Sequence, residues 1–244
     1  MSQSAYQTQS IKEVLENNRY PGRGIMVGMS KDGKKAYAVY FIMGRSANSQ
    51  NRVFRQQDNG DLMIFPFDPS KVEDPSLIIY APVRKYGSEL IVTNGDQTDT
   101  IYDFLAQGKC MVAALNTRQF EPDAPNFTPR ISAVLTFENG SFTYKMNILK
   151  SSDPEGKGCN RFTYAYTPVP GLMHFLHTYA CDGKPLPSFQ GEPERLDVPE
   201  ICCAKKLANY VWDALDEEYR VSLYAVITDL ETQEEDRFII NKNA

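Results

Sequence analysis

The stretch that decides the fold is residues 24–43, GIMVGMSKDGKKAYAVYFIM. Two apolar runs, residues 24–29 and 36–43, flank the polar segment Lys31-Asp32-Gly33-Lys34. Asp-Gly tolerates the positive φ of a tight turn, so the stretch predicts two antiparallel strands joined as a hairpin. The second run is apolar almost throughout, which indicates a strand that is covered on both faces.

The same signals recur along the chain. A second hairpin is predicted at Glu138-Asn139-Gly140, between strands at 130–137 and 141–149. Further strands are predicted at residues 62–65, 76–80, 89–93, 160–166, 219–227 and 238–240. Residues 166–199 contain six prolines and are expected to be rich in loops.

Helices are predicted in clusters. A capping box at Ser10 and Glu13 opens a helix that ends near Asn17. We expect two more helices at residues 98–108, with Thr98 as N-cap, and at 109–117. A capping box at Asp197 and Glu200 predicts a last helix that runs to residue 215.

Hairpins therefore dominate, and the helices do not alternate with the strands. This pattern indicates the α+β class with mostly antiparallel sheet, not a series of βαβ units. The sequence shows no internal repeat or linker, so residues 1–244 are expected to form one domain.

The composition excludes several classes of protein. Lys plus Arg number 26 against 31 Asp plus Glu, which argues against a protein that coats nucleic acid. No apolar run approaches the roughly 20 residues that span a bilayer, and the polar first ten residues do not predict a secretory signal. Five cysteines without a CxxC spacing predict reduced thiols in a cytoplasmic protein and no metal site.

Polar side chains gather beside glycines and strand ends. Tyr20-Pro21-Gly22-Arg23-Gly24 places one arginine between glycines, and residues 43–52 add Arg45, Asn51 and Arg52. Arginine forks suit phosphate, and small amides and hydroxyls suit ribose or base edges. The alternative is a polar surface loop with solvated arginines.

Two later segments carry similar signals. Residues 92–101 predict a strand, a tight turn and a helix start, which is a natural anion site, although Asp96 and Asp99 also fit plain capping. Glu121 and Arg130 share one connecting loop as candidate acid–base and oxyanion partners, or as a surface ion pair. His177 is a candidate for hydrogen bonding, or a structural histidine.

Four blocks occur in order at residues 20–28, 44–52, 93–101 and 126–132. Together they resemble the archaeal-type IMP cyclohydrolase family, which also has bacterial members, over residues 20–137. The resemblance implies a four-layer αββα sandwich similar to that of N-terminal-nucleophile hydrolases, without an N-terminal nucleophile. It implies no metal or redox cofactor.

The resemblance also implies site residues. Arg52, Tyr80 and Glu121 match the family's groups near the reacting atoms. The substrate-binding set that it implies is Arg23, Arg45, Asn51, Asn94, Gly95, Asp96, Thr98, Asp99, Thr128, Arg130 and His177. Histidine is common in the family where this chain has Gln97, and His177 is the candidate to replace it.

The implied activity is closure of 5-formamidoimidazole-4-carboxamide ribotide to IMP with loss of water. The expected partner is therefore a purine ribonucleotide, with a homo-oligomer and a formyltransferase partner as further possibilities. Two other readings stay open: a hydrolase of the same sandwich fold that acts on another amide or ribonucleotide, and a non-catalytic nucleotide-binding protein.

Overall fold

The structure, a computed structural model, describes residues 6–72 and 79–243. Within them the strands are β1 (Arg23–Met29), β2 (Lys35–Met43), β3 (Arg52–Gln56), β4 (Leu62–Pro66), β5 (Val83–Tyr86), β6 (Glu89–Thr93), β7 (Arg130–Glu138), β8 (Ser141–Ser151), β9 (Cys159–Tyr166), β10 (Leu172–His177), β11 (Glu194–Asp197), β12 (Arg220–Asp229) and β13 (Glu235–Asn241). The helices are α1 (Ile11–Asn17), α2 (Ala47–Gln50), α3 (Gln97–Ala106), α4 (Met111–Leu115) and α5 (Ala204–Ala214), with a 3₁₀ turn at Pro69–Lys71.

The strands form two sheets. One has six strands in the order β11-β10-β1-β2-β12-β13, and the other has seven in the order β3-β4-β5-β6-β7-β8-β9. Neighbouring strands in both sheets pair antiparallel. The α+β class with mostly antiparallel sheet is therefore confirmed.

Strand β2 shows how the layers are held together. Its side chains alternate between two cores: Tyr40 and Ile42 face the second sheet, whereas Phe41 and Met43 face helices. Residues of a strand point alternately to opposite faces, so a run that is apolar on both faces must be covered twice. The uninterrupted run in the sequence is explained by this double burial.

Helices cover the outer face of each sheet. Helices α1 and α5 pack on the six-stranded sheet through Leu15 and Leu207, which share a core with Phe41. Helices α3 and α4 pack on the seven-stranded sheet, where Ile101 meets Val134. The two sheets share the remaining core between them, so the packing order is helices, sheet, sheet, helices.

Both predicted hairpins are confirmed. Gly33 has a φ of 72° in the turn between β1 and β2, where the Ser30 hydroxyl accepts hydrogen bonds from the Lys34 and Lys35 N–H groups. Asn139 and Gly140 have φ values of 51° and 70° between β7 and β8. The capping box of Ser10 and Glu13 is also formed, with both reciprocal hydrogen bonds present.

The prediction of loop over residues 166–199 is wrong in part, because the segment contains β10 and β11. Strand β10 is buried along its length and pairs with β1 and β11. The prolines lie outside the strand, so they bound it without breaking it. Strands β3 and β5 were not expected, and both are short with charged residues within them.

Two helix starts differ from the prediction. Helix α5 begins at Ala204, whose N–H donates to the Asp236 carboxylate at 2.7 Å, so a distant strand supplies the cap in place of Asp197. Helix α3 has Asp96, not Thr98, at its N-cap position. The predicted strand at 76–80 falls largely outside the described residues, and Tyr80 itself lies in no strand.

We expect Leu207→Ala to lower the free energy of unfolding by about 2–5 kcal/mol, because it leaves a cavity where α5 meets the six-stranded sheet. Chemical denaturation measures this change. Asn209→Ala, at an exposed position of the same helix, is the control and should be nearly neutral. Equal stability of the two variants would contradict the packing described here.

Candidate active site

One cavity of about 760 Å³ opens where strands of both sheets begin or end. This volume lies within the range of small-molecule sites. Its walls come from segments far apart in the sequence: Tyr20, Arg23, Arg45, Ser46, Asn48, Ser49, Arg52, Tyr80, Gly95, Asp96, Glu121, Pro122, Asp123, Asn126, Thr128, Arg130, Tyr179 and Leu186.

Two arginines bring positive charge to the cavity. Arg23 is the first residue of β1 and Arg52 is the first of β3, so the sheets aim both side chains at the cavity. The Nε atoms of both side chains are buried without a hydrogen-bond acceptor among the described residues. Burial lowers the pKa of Arg52, and the nearby charge of Arg23 lowers it further. Guanidinium groups of this kind favour an anionic or carbonyl ligand.

Glu121 brings a carboxylate next to these arginines. Its backbone N–H donates to the Thr128 carbonyl at 2.9 Å, which closes the loop between α4 and β7. Desolvation raises the pKa of Glu121, although the positive charges of Arg23 and Arg130 oppose the shift. A carboxyl group with a raised pKa is a stronger base than an ordinary carboxylate and can still return the proton it takes up.

Tyr80 is held by two hydrogen bonds that fix its proton. Its hydroxyl donates to the Asn94 carbonyl at 2.7 Å, and the Tyr40 hydroxyl lies 3.3 Å away. Because the Tyr80 proton goes to a carbonyl, Tyr40 must donate to Tyr80. Burial raises the pKa of Tyr80, so the phenol is neutral. In this arrangement the Tyr80 oxygen can only accept a hydrogen bond from a ligand in the cavity.

Asn94 builds the frame of the site. Its side chain donates to the Pro129 carbonyl at 2.9 Å and accepts from the Ile131 N–H at 2.8 Å. Gln97 also donates to it, at 3.0 Å. These bonds join the turn after β6 to the start of β7, next to Arg130. Asn94 thus positions the loops that carry cavity residues.

Two further arginines line the cavity but already have partners. Arg130 donates to the carboxylate of Asp96 and to Gln97 Oε1 at 2.7 Å. Arg45 donates to Asp182 at 2.6 Å and lies over the Tyr20 ring, with 5.1 Å between its Cζ and the ring centroid. A ligand that binds either arginine must share it with these protein groups.

The cavity brings together nine of the residues that the sequence singled out: Arg23, Arg45, Arg52, Tyr80, Gly95, Asp96, Glu121, Thr128 and Arg130. Five others do not line it: Asn51, Asn94, Thr98, Asp99 and His177. Their side chains are engaged within the protein.

The partners of these five explain their positions. Asn51 bonds to the backbone of Asp68, and Thr98 bonds to the Gly95 carbonyl at 3.0 Å. Asp99 pairs with Arg84 on the outside of the sheet. His177 lies on β10 between Phe175 and Phe189, and its Nδ1 bonds to the Tyr179 carbonyl at 2.8 Å.

Several cavity residues were not singled out in the sequence. Among them, Asp123 and Tyr179 form hydrogen bonds at the cavity wall. The Thr128 hydroxyl contacts the Asp123 carboxylate, and it lies 2.6 Å from the Tyr179 hydroxyl. Tyr179 follows a strand that was expected to be loop, so no local signal marked it. Asp123 lies two residues after Glu121 in the same loop, where no pattern in the sequence assigns it a role.

The described part of the chain contains no group of three or more His, Cys, Asp or Glu side chains that could hold a metal ion. Within residues 6–72 and 79–243, no helix has the length and apolar character needed to cross a membrane.

Comparison with known proteins gives a family and several relatives. Residues 20–234 match the family model described as IMP cyclohydrolase-like protein. The IMP cyclohydrolase of Methanopyrus kandleri is 30% identical over 182 residues, which are 70% of this chain and 89% of that protein. That of Methanococcus aeolicus is 30% identical over 169 residues, covering 66% and 75%. That of Methanococcus maripaludis strain C7 is 33% identical over 129 residues, covering 51% and 62%.

We expect Asn94→Ala to destabilise the protein by about 1–3 kcal/mol, because buried polar groups on both loops lose their partner. Thermal and chemical denaturation test this. Asn48→Ala removes the same amide at an exposed position that lines the cavity, and it should leave stability within about 0.5 kcal/mol. A stable Asn94→Ala variant would show that the loops are held by other contacts.

Proposed function

Because this chain belongs to the IMP cyclohydrolase-like family, we propose that it closes 5-formamidoimidazole-4-carboxamide ribotide to IMP with loss of water. The observation that carries the proposal is the meeting of Arg52, Tyr80 and Glu121 in one cavity. They come from separate parts of the chain, and the resemblance to the family pointed to these three positions.

The reaction needs little more than positioning and proton transfer. The carboxamide nitrogen attacks the formyl carbon of the same molecule, so one C–N bond forms and the formyl oxygen gains negative charge. The nitrogen then loses one proton, and the oxygen gains one. In the second half, the former formamide nitrogen loses its proton, the oxygen takes up a second proton and leaves as water, and a C=N bond forms in the ring that the first half closed. Holding the reacting groups in contact lowers the barrier.

We assign the proton transfers to Glu121. Its carboxylate takes the proton from the attacking nitrogen and returns it to the oxygen that leaves. The raised pKa of Glu121 favours both halves of this transfer, because the group is a stronger base than an ordinary glutamate and still an acid when protonated. The guanidinium of Arg52, whose Nε is buried without a hydrogen-bond acceptor among the described residues, stabilises the developing oxyanion.

Tyr80 has a different role in this proposal. Its proton is committed to the Asn94 carbonyl, so delivery of that proton to the leaving oxygen would break a buried hydrogen bond. We therefore assign it to accept a hydrogen bond from an N–H group of the substrate and hold the reactive conformer. Arg23, Arg45 and Arg130, with the backbone at Gly95 and Asp96, are assigned to the phosphate and ribose.

The packing order of helices, sheet, sheet and helices supports the expected αββα sandwich that resembles N-terminal-nucleophile hydrolases. We propose that residues 1–244 form one domain of this kind. The enzyme is proposed to act in the cytoplasm on a free ribonucleotide, without a metal or redox cofactor. A homo-oligomer and a formyltransferase partner remain proposals.

The direct test mixes purified protein with 5-formamidoimidazole-4-carboxamide ribotide in the presence of EDTA and follows purine formation by ultraviolet absorbance. We expect conversion well above the spontaneous rate. No acceleration with tight binding of IMP by calorimetry would favour a non-catalytic nucleotide-binding protein. If neither activity nor binding is found, the assignment fails.

Glu121→Gln should lower turnover by more than tenfold, since loss of a positioned general base typically costs ~10²–10⁴ in rate, while IMP binding survives. The wild-type kcat/KM should rise with pH through a pKa above the usual value of an exposed glutamate, ~4.3, and the variant should lose this limb. Steady-state rates across pH measure both.

The same variant should be at least as stable to heat as the wild type at pH 8. A folded-state pKa above the unfolded value means that the ionised carboxylate disfavours the folded state once the pH exceeds the folded pKa, and Gln removes that effect. Glu138→Gln, at the exposed end of β7, is the matched control and should keep full activity. Unchanged turnover in Glu121→Gln would remove Glu121 from the mechanism.

A further inference from the structure

Three side chains form a hydrogen-bonded chain at the cavity wall, and the reaction proposed above uses none of them. The Asp123 carboxylate accepts from the Thr128 backbone N–H at 2.6 Å and contacts the Thr128 hydroxyl through its other oxygen. The Thr128 hydroxyl lies 2.6 Å from the Tyr179 hydroxyl. All three residues line the cavity.

The direction of the protons in this chain follows from the chemistry of the groups. A carboxylate can only accept, so the single hydroxyl proton of Thr128 goes to Asp123. Thr128 must then accept from Tyr179, and the Tyr179 proton points into the protein. The Tyr179 oxygen is left with lone pairs and no proton to offer to a ligand.

The Tyr179 ring is held rigidly in this position. Tyr20 stacks on it with the ring centroids 5.9 Å apart and the planes 15° from parallel. Gly22 lies so close that an added Cβ would stand 2.5 Å from the ring. The backbone of Tyr179 is tied as well, because its carbonyl accepts from His177. A group fixed in this way is organised before a ligand binds.

We propose that the Tyr179 oxygen is a specificity-determining acceptor of the cavity, which binds an N–H or O–H group of the purine ribonucleotide. Asp123 and Thr128 are positioning residues that hold the Tyr179 proton away from the ligand. The class of ligand in this inference rests on the proposed function, whereas the geometry of the three hydrogen-bonded side chains does not.

The protonation of Tyr179 agrees with this assignment. Burial raises the pKa of Tyr179 to about 12, so the phenol keeps its proton through the neutral range. A group of this kind distinguishes a donor from an acceptor on the ligand, because two lone pairs that face each other repel and leave both groups unpaired.

The test measures IMP binding by calorimetry alongside three analogues that each lack one donor: 2′-deoxy-IMP, 3′-deoxy-IMP and 1-methyl-IMP. For the analogue that lacks the group bound by Tyr179, wild-type protein should prefer IMP by about tenfold. Tyr179→Phe should bring that ratio close to one and leave the other two ratios unchanged. The analogue that responds shows whether the donor belongs to the ribose or to the base.

Tyr37→Phe is the matched control, because its hydroxyl donates to the Ile201 carbonyl at 2.8 Å away from the cavity, and all three ratios should stay as in the wild type. Ratios that Tyr179→Phe leaves unchanged for every analogue would overturn the proposal. So would an equal loss of affinity for IMP and all analogues, which indicates a structural role only.

A second pair of variants keeps the proposal testable if Tyr179→Phe does not fold. Thr128→Ser retains a hydroxyl and should keep the preference, whereas Thr128→Val frees the Tyr179 proton and should lose most of it. Equal ratios in the two variants would overturn the proposal. Cyclisation is assayed on the same preparations. If wild-type protein selects among the nucleotides but does not close the ring, the proposed function is contradicted and this inference is not.

Discussion

The rest of the site depends on the desolvated carboxylate of Glu121, which lies among the guanidinium groups of Arg23 and Arg52. Burying such charges is costly unless the surrounding groups hold them in a favourable geometry. The loop that carries Glu121 is accordingly tied to Thr128 and, through Pro129, to the side chain of Asn94. Asn94 and Thr128, which the resemblance implied as substrate-binding residues, therefore help to hold this loop in place.

The direction of protons then determines what the cavity can recognise. Tyr80 donates to a carbonyl and Tyr179 donates towards Asp123 through Thr128, so both phenols present acceptors. The arginines present only donors. Such a wall is complementary to a ligand that carries amide N–H and ribose hydroxyl groups at some points and carbonyl or phosphate oxygens at others, which is the pattern of the proposed substrate.

The sequence predicted what depends on local chemistry. The turn at Gly33 and the double burial around Tyr40 follow from residue type and period, and both are confirmed. Predictions from the sequence were wrong where residues distant in the chain determine the local structure. Asp236 caps α5, and β10 is a strand because β1 and β11 lie beside it. The resemblance pointed to nine residues of the cavity, but it could not separate residues that face the cavity from those, such as Asn94, that support it.

The identity of the residue at position 97 affects several hydrogen bonds of the site. The resemblance implies histidine at this position in much of the family, whereas the amide of Gln97 accepts from Arg130 and donates to both Asn94 Oδ1 and the Ile131 carbonyl. A neutral imidazole has one donor and one acceptor, so it cannot make all three bonds. Glutamine thus completes the frame and orients Arg130 without a group that transfers protons in the neutral range. His177 lies outside the cavity, and the proton transfers of the proposed reaction therefore fall to Glu121.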